Sequence, residues 1–139
     1  MRYLVISHGP MSKGTVESAE MILGTQENVN TLSVTIDSTI ESMYSEISGL
    51  ISNYPNEEWI ILTDIIGGTP FNASYRYLEK YKNSIIVTGF NLPLLIELFM
   101  QPDLKLEHAL DFIKTIQPNT MSLVDAAMVS KIDEEDFDL

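Results

Sequence analysis

The chain has 139 residues, a formal net charge of −12, 45% hydrophobic and 20% charged residues, and no cysteine. That length suits one domain with one substantial core, and the composition is that of a globular protein rather than a disordered one. The charge argues against nucleic acid or anionic lipid as a partner; the lack of cysteine excludes disulfides, thiolate zinc sites and a cysteine nucleophile, and fits a reducing cytoplasm.

No charged segment followed by an apolar one opens the chain, and no apolar run approaches about 18 residues. A cytoplasmic protein without membrane insertion is therefore expected. Five acids and one lysine fall between Lys131 and Leu139. That stretch reads as a solvated acidic tail on a domain of residues 1–130.

Tyr3–Ile6 is a continuous apolar run, as expected for a strand covered on both faces. Thr15–Leu23 reads as a helix with Val16, Ala19, Ile22 and Leu23 on one face and Gly24 as its stop. Val29–Ile36 alternates in part and reads as a second strand. Ile40, Met43, Tyr44, Ile47, Leu50, Ile51 and Tyr54 then form a sustained helical stripe, ended by Pro55-Asn56. Trp59–Leu62 gives a third strand, and Pro70 to about Lys80 a third helix. Ser84–Thr88 gives a fourth strand, followed by a Gly89-Phe90-Asn91 turn and a helix from near Pro93. Leu104–Ile116 is a further amphipathic helix with Leu106, Ala109, Leu110 and Ile113 inward. Asn119–Val129 suits either a fifth strand or a last helix. Strands alternating with helices of this length predict an α/β fold, a doubly wound and mainly parallel sheet with helices on both faces.

In such a sheet, side chains at the carboxyl ends of neighbouring strands converge on one crevice. The first strand runs into Ser7-His8-Gly9 and the third into Asp64. A neutral imidazole is a competent nucleophile for phosphoryl groups. A carboxylate bonded to one ring nitrogen holds the tautomer that frees the other. Asp64 can serve His8 in this way if strands one and three are adjacent; a strand-end histidine that merely packs is the alternative. Downstream of Asp64, Gly67-Gly68 allows a sharp turn and close approach to a ligand, with Thr69 placed to cap a helix and Pro70 at its first position. The free N–H groups of that helix start form an anion site, although a glycine turn before an ordinary capped helix would look the same. His108 lies on an amphipathic helix beside Glu107 and reads as a surface or packing residue. Two distant histidines without cysteine make no metal-ligand set.

Several separated motifs occur in order: Ser7-His8-Gly9; Ala19-Glu20-Met21-Ile22-Leu23-Gly24 with Gln26-Glu27-Asn28-Val29; Asp64-Ile65-Ile66-Gly67-Gly68-Thr69-Pro70-Phe71-Asn72-Ala73-Ser74; and Gly89-Phe90-Asn91-Leu92-Pro93-Leu94-Leu95. Together they resemble the mannose-family IIA component of the bacterial sugar phosphotransferase system, from the start of the chain to about Met100. The resemblance implies a cytoplasmic phosphocarrier, usually a homodimer, that takes a phosphoryl group from the histidine phosphocarrier protein and passes it to a IIB component. Carried onto this chain, it makes His8 the phosphorylated residue and Asp64 its orienting carboxylate. Thr69 stands beside the phosphate, the N–H groups from Gly68 to Phe71 offset its charge, and no cofactor is implied. Dimers of the family often exchange a C-terminal strand, which makes Asn119–Val129 a candidate for that segment. Pro10, Met11, Ile65, Ile66 and Phe90 are candidates for an apolar rim that docks two partners. Three other readings stand beside this one, one of them a purely regulatory role in which the protein binds a partner according to its phosphorylation state. The phosphotransfer subunit of dihydroxyacetone kinase has a related domain but typically lacks Gly-Gly-Thr-Pro-Phe-Asn. A histidine phosphatase would carry arginine where this chain has Ser7.

Overall fold

The computed structural model describes residues 1–129; the acidic tail assigned to 131–139 lies outside the described residues. Two strands with wholly buried centres form the middle of a four-stranded parallel sheet: β1 (Arg2–His8) and β3 (Trp59–Thr63). They pair directly, in a register that runs from Arg2 opposite Trp59 to Ile6 opposite Thr63. β2 (Val29–Val34) flanks β1 and β4 (Ser84–Thr88) flanks β3, giving the order β2-β1-β3-β4.

The two-residue period of a strand divides these apolar runs between two cores. Tyr3, Val5, Ile60 and Leu62 point to one face. There they meet Val16 and Ala19 of α1 (Met11–Leu23), Leu94, Leu95 and Leu98 of α4 (Leu92–Phe99), and Ala109 and Ile113 of α5 (Leu106–Ile116). Leu4, Ile6, Trp59 and Ile61 point to the other face, against α2 (Ile40–Ile51) and α3 (Thr69–Lys80). α2 begins with a reciprocal capping box: the Ser42 N–H donates to Thr39 Oγ1 at 3.0 Å, and the Thr39 N–H donates to Ser42 Oγ at 2.9 Å. Its buried stripe is Met43, Ile47 and Ile51. The helix stops there, and Tyr54 turns instead onto Trp59, with ring centroids 5.8 Å apart.

The order also places the site. From β1 the chain moves to β2 on one side, and from β3 it moves to β4 on the other. The carboxyl ends of β1 and β3 therefore bound the crevice where the winding reverses.

Several expected details differ. β2 ends at Val34, which leaves Ile36 beyond the strand and fully exposed. α1 starts at Met11, four residues before the expected start at Thr15, and Ile22 faces out while Val16 and Ala19 face in. In α5, Ala109 and Ile113 share the buried face at i, i+4; Leu110 is turned about 100° from Ala109 and is exposed. Residues 119–129 form no strand among the described residues. A 3₁₀ turn at Gln117–Asn119 leads through irregular chain to a single helical turn, α6 (Ala126–Val129). Met121, Leu123 and Val124 are all exposed there. No helix among the described residues is long and apolar enough to cross a membrane.

Candidate active site

His8 is the last residue of β1 and Asp64 the first after β3, so strand pairing alone brings them to one crevice. Their side chains are in contact. His8 Nδ1 lies 2.8 Å from Asp64 Oδ2, and the same oxygen accepts the His8 backbone N–H at 2.8 Å. Asp64 Oδ1 accepts the Ile65 N–H at 2.9 Å. The carboxylate is largely enclosed, 9% exposed, whereas the imidazole is 49% exposed. Burial pushes the Asp64 carboxyl up, but hydrogen bonds from the His8 N–H, the His8 ring and the Ile65 N–H outweigh it and hold the group below its ordinary value. An ionised carboxylate only accepts, so the proton of the neutral ring belongs on Nδ1 and the lone pair on Nε2.

The other wall of the site is backbone. A Cβ added at Gly68 would sit 2.8 Å from His8 Cε1 and 3.3 Å from Nε2, so the ring lies directly against this glycine. Gly67 makes the preceding bend with φ of +82°, a conformation that glycine adopts without strain. Asn72 ties the turn down twice: its Nδ2 donates to the Gly67 carbonyl at 3.1 Å, and its N–H donates to the Gly68 carbonyl at 2.8 Å. α3 starts one residue earlier than the sequence implied. Gly68 occupies the cap position in extended conformation, Thr69 is the first helical residue, and Pro70 follows it. Thr69 is thus not the cap, and no side chain caps this helix. Thr69 and Phe71 are half-buried, and the Phe71 ring tilts against Tyr75 at 6.0 Å.

Behind His8 is a buried pair of hydroxyls to which the sequence reading assigned no role. The Ser12 N–H donates to Ser7 Oγ at 2.7 Å, and Ser7 Oγ donates to the Gly9 carbonyl at 3.0 Å. Ser12 Oγ in turn donates to the Leu32 carbonyl at 3.1 Å. Only the serine beside His8 in Ser-His-Gly hinted at this.

Around the crevice, Pro10, Met11, Ile65 and Ile66 are exposed, and Ile36 joins them from the loop after β2. Phe90 does not belong to that rim. It is 4% exposed and packed into the core with Leu94 and Leu95. His108 is a surface residue, its Nε2 3.5 Å from Glu107. The chemistry this site offers is a half-open imidazole with one nitrogen engaged, the other free, and a helix start next to it.

A family model of PTS system fructose IIA components, EIIA-man, matches residues 2–116. The chain belongs to this family. It is 25% identical over 138 residues to the sorbose-specific EIIA component of Lacticaseibacillus casei, a match that covers 99% of this chain and 100% of that one. It is 26% identical over 122 residues to the fructose-specific EIIA component of Bacillus subtilis, covering 86% and 84%. The mannose-specific EIIAB component of Escherichia coli K12 is 29% identical over 98 residues, 70% of this chain but only 30% of that longer protein. Among solved structures, the PTS IIA protein associated with the fucose utilization operon of Streptococcus pneumoniae superposes with a TM-score of 0.76 at 30% identity, covering 87% and 91% of the two chains. The mannose/sorbose-specific IIA subunit from Enterococcus faecalis reaches 0.82 at 23% identity, covering 89% and 94%, a likeness of fold. As an EIIA-man protein, this chain is a phosphotransferase-type component.

Proposed function

We propose that the protein is a cytoplasmic phosphocarrier of a sugar phosphotransferase system. It accepts a phosphoryl group on His8 from the histidine phosphocarrier protein and hands it to a IIB component. The observation that carries this reading is the 2.8 Å contact between His8 Nδ1 and Asp64 Oδ2, which leaves Nε2 as the free nucleophile. In the transfer, the Nε2 lone pair forms the new N–P bond while the bond from phosphorus to the donor nitrogen breaks, its electron pair staying with the donor. The Nδ1 proton remains with His8, held by Asp64, which also offsets the charge that builds on the ring. The Thr69 hydroxyl and the N–H groups from Gly68 to Phe71 offset the charge on the phosphoryl oxygens, a role supported by the closeness of Gly68 to Nε2 and the absence of a side-chain cap on α3.

A carrier must release what it accepts, so strong clamping of the bound group would be counterproductive. Arg2 sits at the far end of β1, 3.6 Å over the Tyr54 ring, and Arg76 is engaged by Glu41 at 3.4 Å. Positioning and a helix start are what remain, as in-line phosphoryl transfer requires. Docking of both partners falls to the exposed rim of Pro10, Met11, Ile36, Ile65 and Ile66.

The working form is a homodimer in which residues 119–129 of one copy cover the other. Exposed Met121, Leu123 and Val124 support this, as does β4 at the sheet edge beside a cavity of about 640 Å³ lined by Val87, Thr88, Asn91, Ile113, Gln117 and Met121.

The test is a phosphoenolpyruvate-driven relay with labelled phosphate. Wild type should take up acid-labile, base-stable label and lose it on addition of a IIB component. Undiminished labelling of His8→Ala would end the assignment.

A further inference from the structure

We infer that Ser7 is a positioning residue for His8: its buried hydroxyl ties together the two sides of the β1–α1 turn and so sets the aim of the imidazole. Ser7 and Ser12 are both fully buried. The Ser7 hydroxyl is used in both directions, accepting the Ser12 N–H at 2.7 Å and donating to the Gly9 carbonyl at 3.0 Å. The first bond supplies a partner for an N–H in the first turn of α1, whose own cap residue, Pro10, offers no side-chain acceptor. The second fixes the carbonyl of Gly9, which bends the chain with φ of +62° and whose N–H donates to the Val34 carbonyl at 2.9 Å.

His8 is therefore held between two anchored neighbours, while its own N–H is held by Asp64 at 2.8 Å. The Cα–Cβ direction of His8 is set by this backbone before its side chain makes any contact. The room for error is small, because the ring lies between the Asp64 carboxylate and the backbone of Gly68. Without the Ser7 hydroxyl, the buried Ser12 N–H and the part-buried Gly9 carbonyl lose this partner, and the turn shifts to find new ones. A shift of even about 1 Å at a reacting atom is enough to cost on the order of 10²-fold in rate.

This inference rests on the phosphocarrier reading for its kinetic consequence, but not for its structural one. Four variants are compared with wild type: Ser7→Ala, Ser7→Cys, Ser7→Thr and, as a control for removing a buried serine hydroxyl away from the site, Ser84→Ala. The Ser84 hydroxyl is also buried but lies at the opposite end of the sheet. Two quantities are read at a temperature where every variant is folded: the first-order rate of His8 phosphorylation at saturating donor, and the ring ¹⁵N and Nδ1–H resonances of unphosphorylated His8. Ser7→Ala should lower the rate about 10-fold or more at an unchanged half-saturating donor concentration, and should shift the Nδ1–H resonance. Ser7→Thr, which keeps the hydroxyl, should recover most of the rate, and Ser84→Ala should match wild type in both readings. If Ser7→Ala does not fold, Ser7→Cys, which keeps the volume but weakens both hydrogen bonds, takes its place with the same expectation. Wild-type rate and unchanged ring resonances in a folded Ser7→Ala or Ser7→Cys would overturn the role given to Ser7. Absence of label on wild type would instead defeat the phosphocarrier reading, and the resonances would still decide the positioning question.

Discussion

One oxygen of Asp64 holds His8 in two places, taking the backbone N–H and the ring Nδ1 each at 2.8 Å. Strand pairing and ring orientation are therefore fastened to the same atom. Asp64→Asn keeps the shape but loses the charge, and its amide can offer a donor where the ring needs an acceptor. The expected result is a fall in the rate of His8 phosphorylation of about 10²–10⁴-fold with little change in half-saturating donor concentration, measured in single turnover. A loss of less than about threefold would remove Asp64 from the mechanism.

Gly68→Ala separates space from backbone conformation. The residue has φ of −87°, which alanine adopts freely, yet its new Cβ would meet His8 Cε1 at 2.8 Å. Thermal stability should change by a few degrees at most, while phosphorylation falls about 10²-fold as the ring is pushed aside. Gly67→Ala should behave in the opposite sense. Nothing crowds that position, but φ of +82° costs alanine roughly 1–2 kcal/mol, so melting temperature is the reading that moves.

Acid should release the Asp64 clamp. The folded carboxyl titrates below its ordinary value of 3.8, so its contribution to stability is present above that value and is lost as pH falls through the lower, folded one. Unfolding followed from about pH 6 to pH 2 should show wild type losing more stability than Asp64→Asn over the acid part of the range. Parallel curves would show that Asp64 is not linked to folding.

How much of this could be read in the chain depends on how local each determinant is. β1 and β3 are legible because their apolar runs are continuous, and their pairing then places His8 beside Asp64. The start of α1 is hidden because the acceptor for its first-turn N–H is Ser7, five residues back and in a different element. Thr69 has the right chemistry for a cap, but Gly68 already has the extended backbone and needs no side chain. Ile36 and Leu110 are apolar where the local pattern implies burial, yet β2 stops before the first and the face set by Ala109 and Ile113 excludes the second. Asn72 belongs to a recognisable motif, but its hold on the Gly67 carbonyl is visible only in three dimensions.

The rim should be separable from the chemistry. Ile36→Glu and Ile66→Glu alter residues that are 100% and 71% exposed and touch neither the His8–Asp64 contact nor the core. Each should raise the half-saturating concentration of the donor protein about 10-fold while leaving the rate at saturation and the melting temperature in place. A change confined to the rate constant would argue that these residues are not part of the docking face.

The segment after α5 should govern assembly. Wild type is expected to sediment as a dimer, and Leu123→Asp, at a position 82% exposed in the single chain, should shift it toward monomer. Identical sedimentation of the two would leave residues 119–129 without an assembly role.

The half-open setting of the imidazole has a kinetic consequence. His8 stands on the lip of the sheet rather than at the bottom of a closing cleft, and the acid behind it is already seated. Among the described residues no lid covers the ring, so throughput should follow how often partners meet this face and climb in proportion to their concentration until departure becomes limiting.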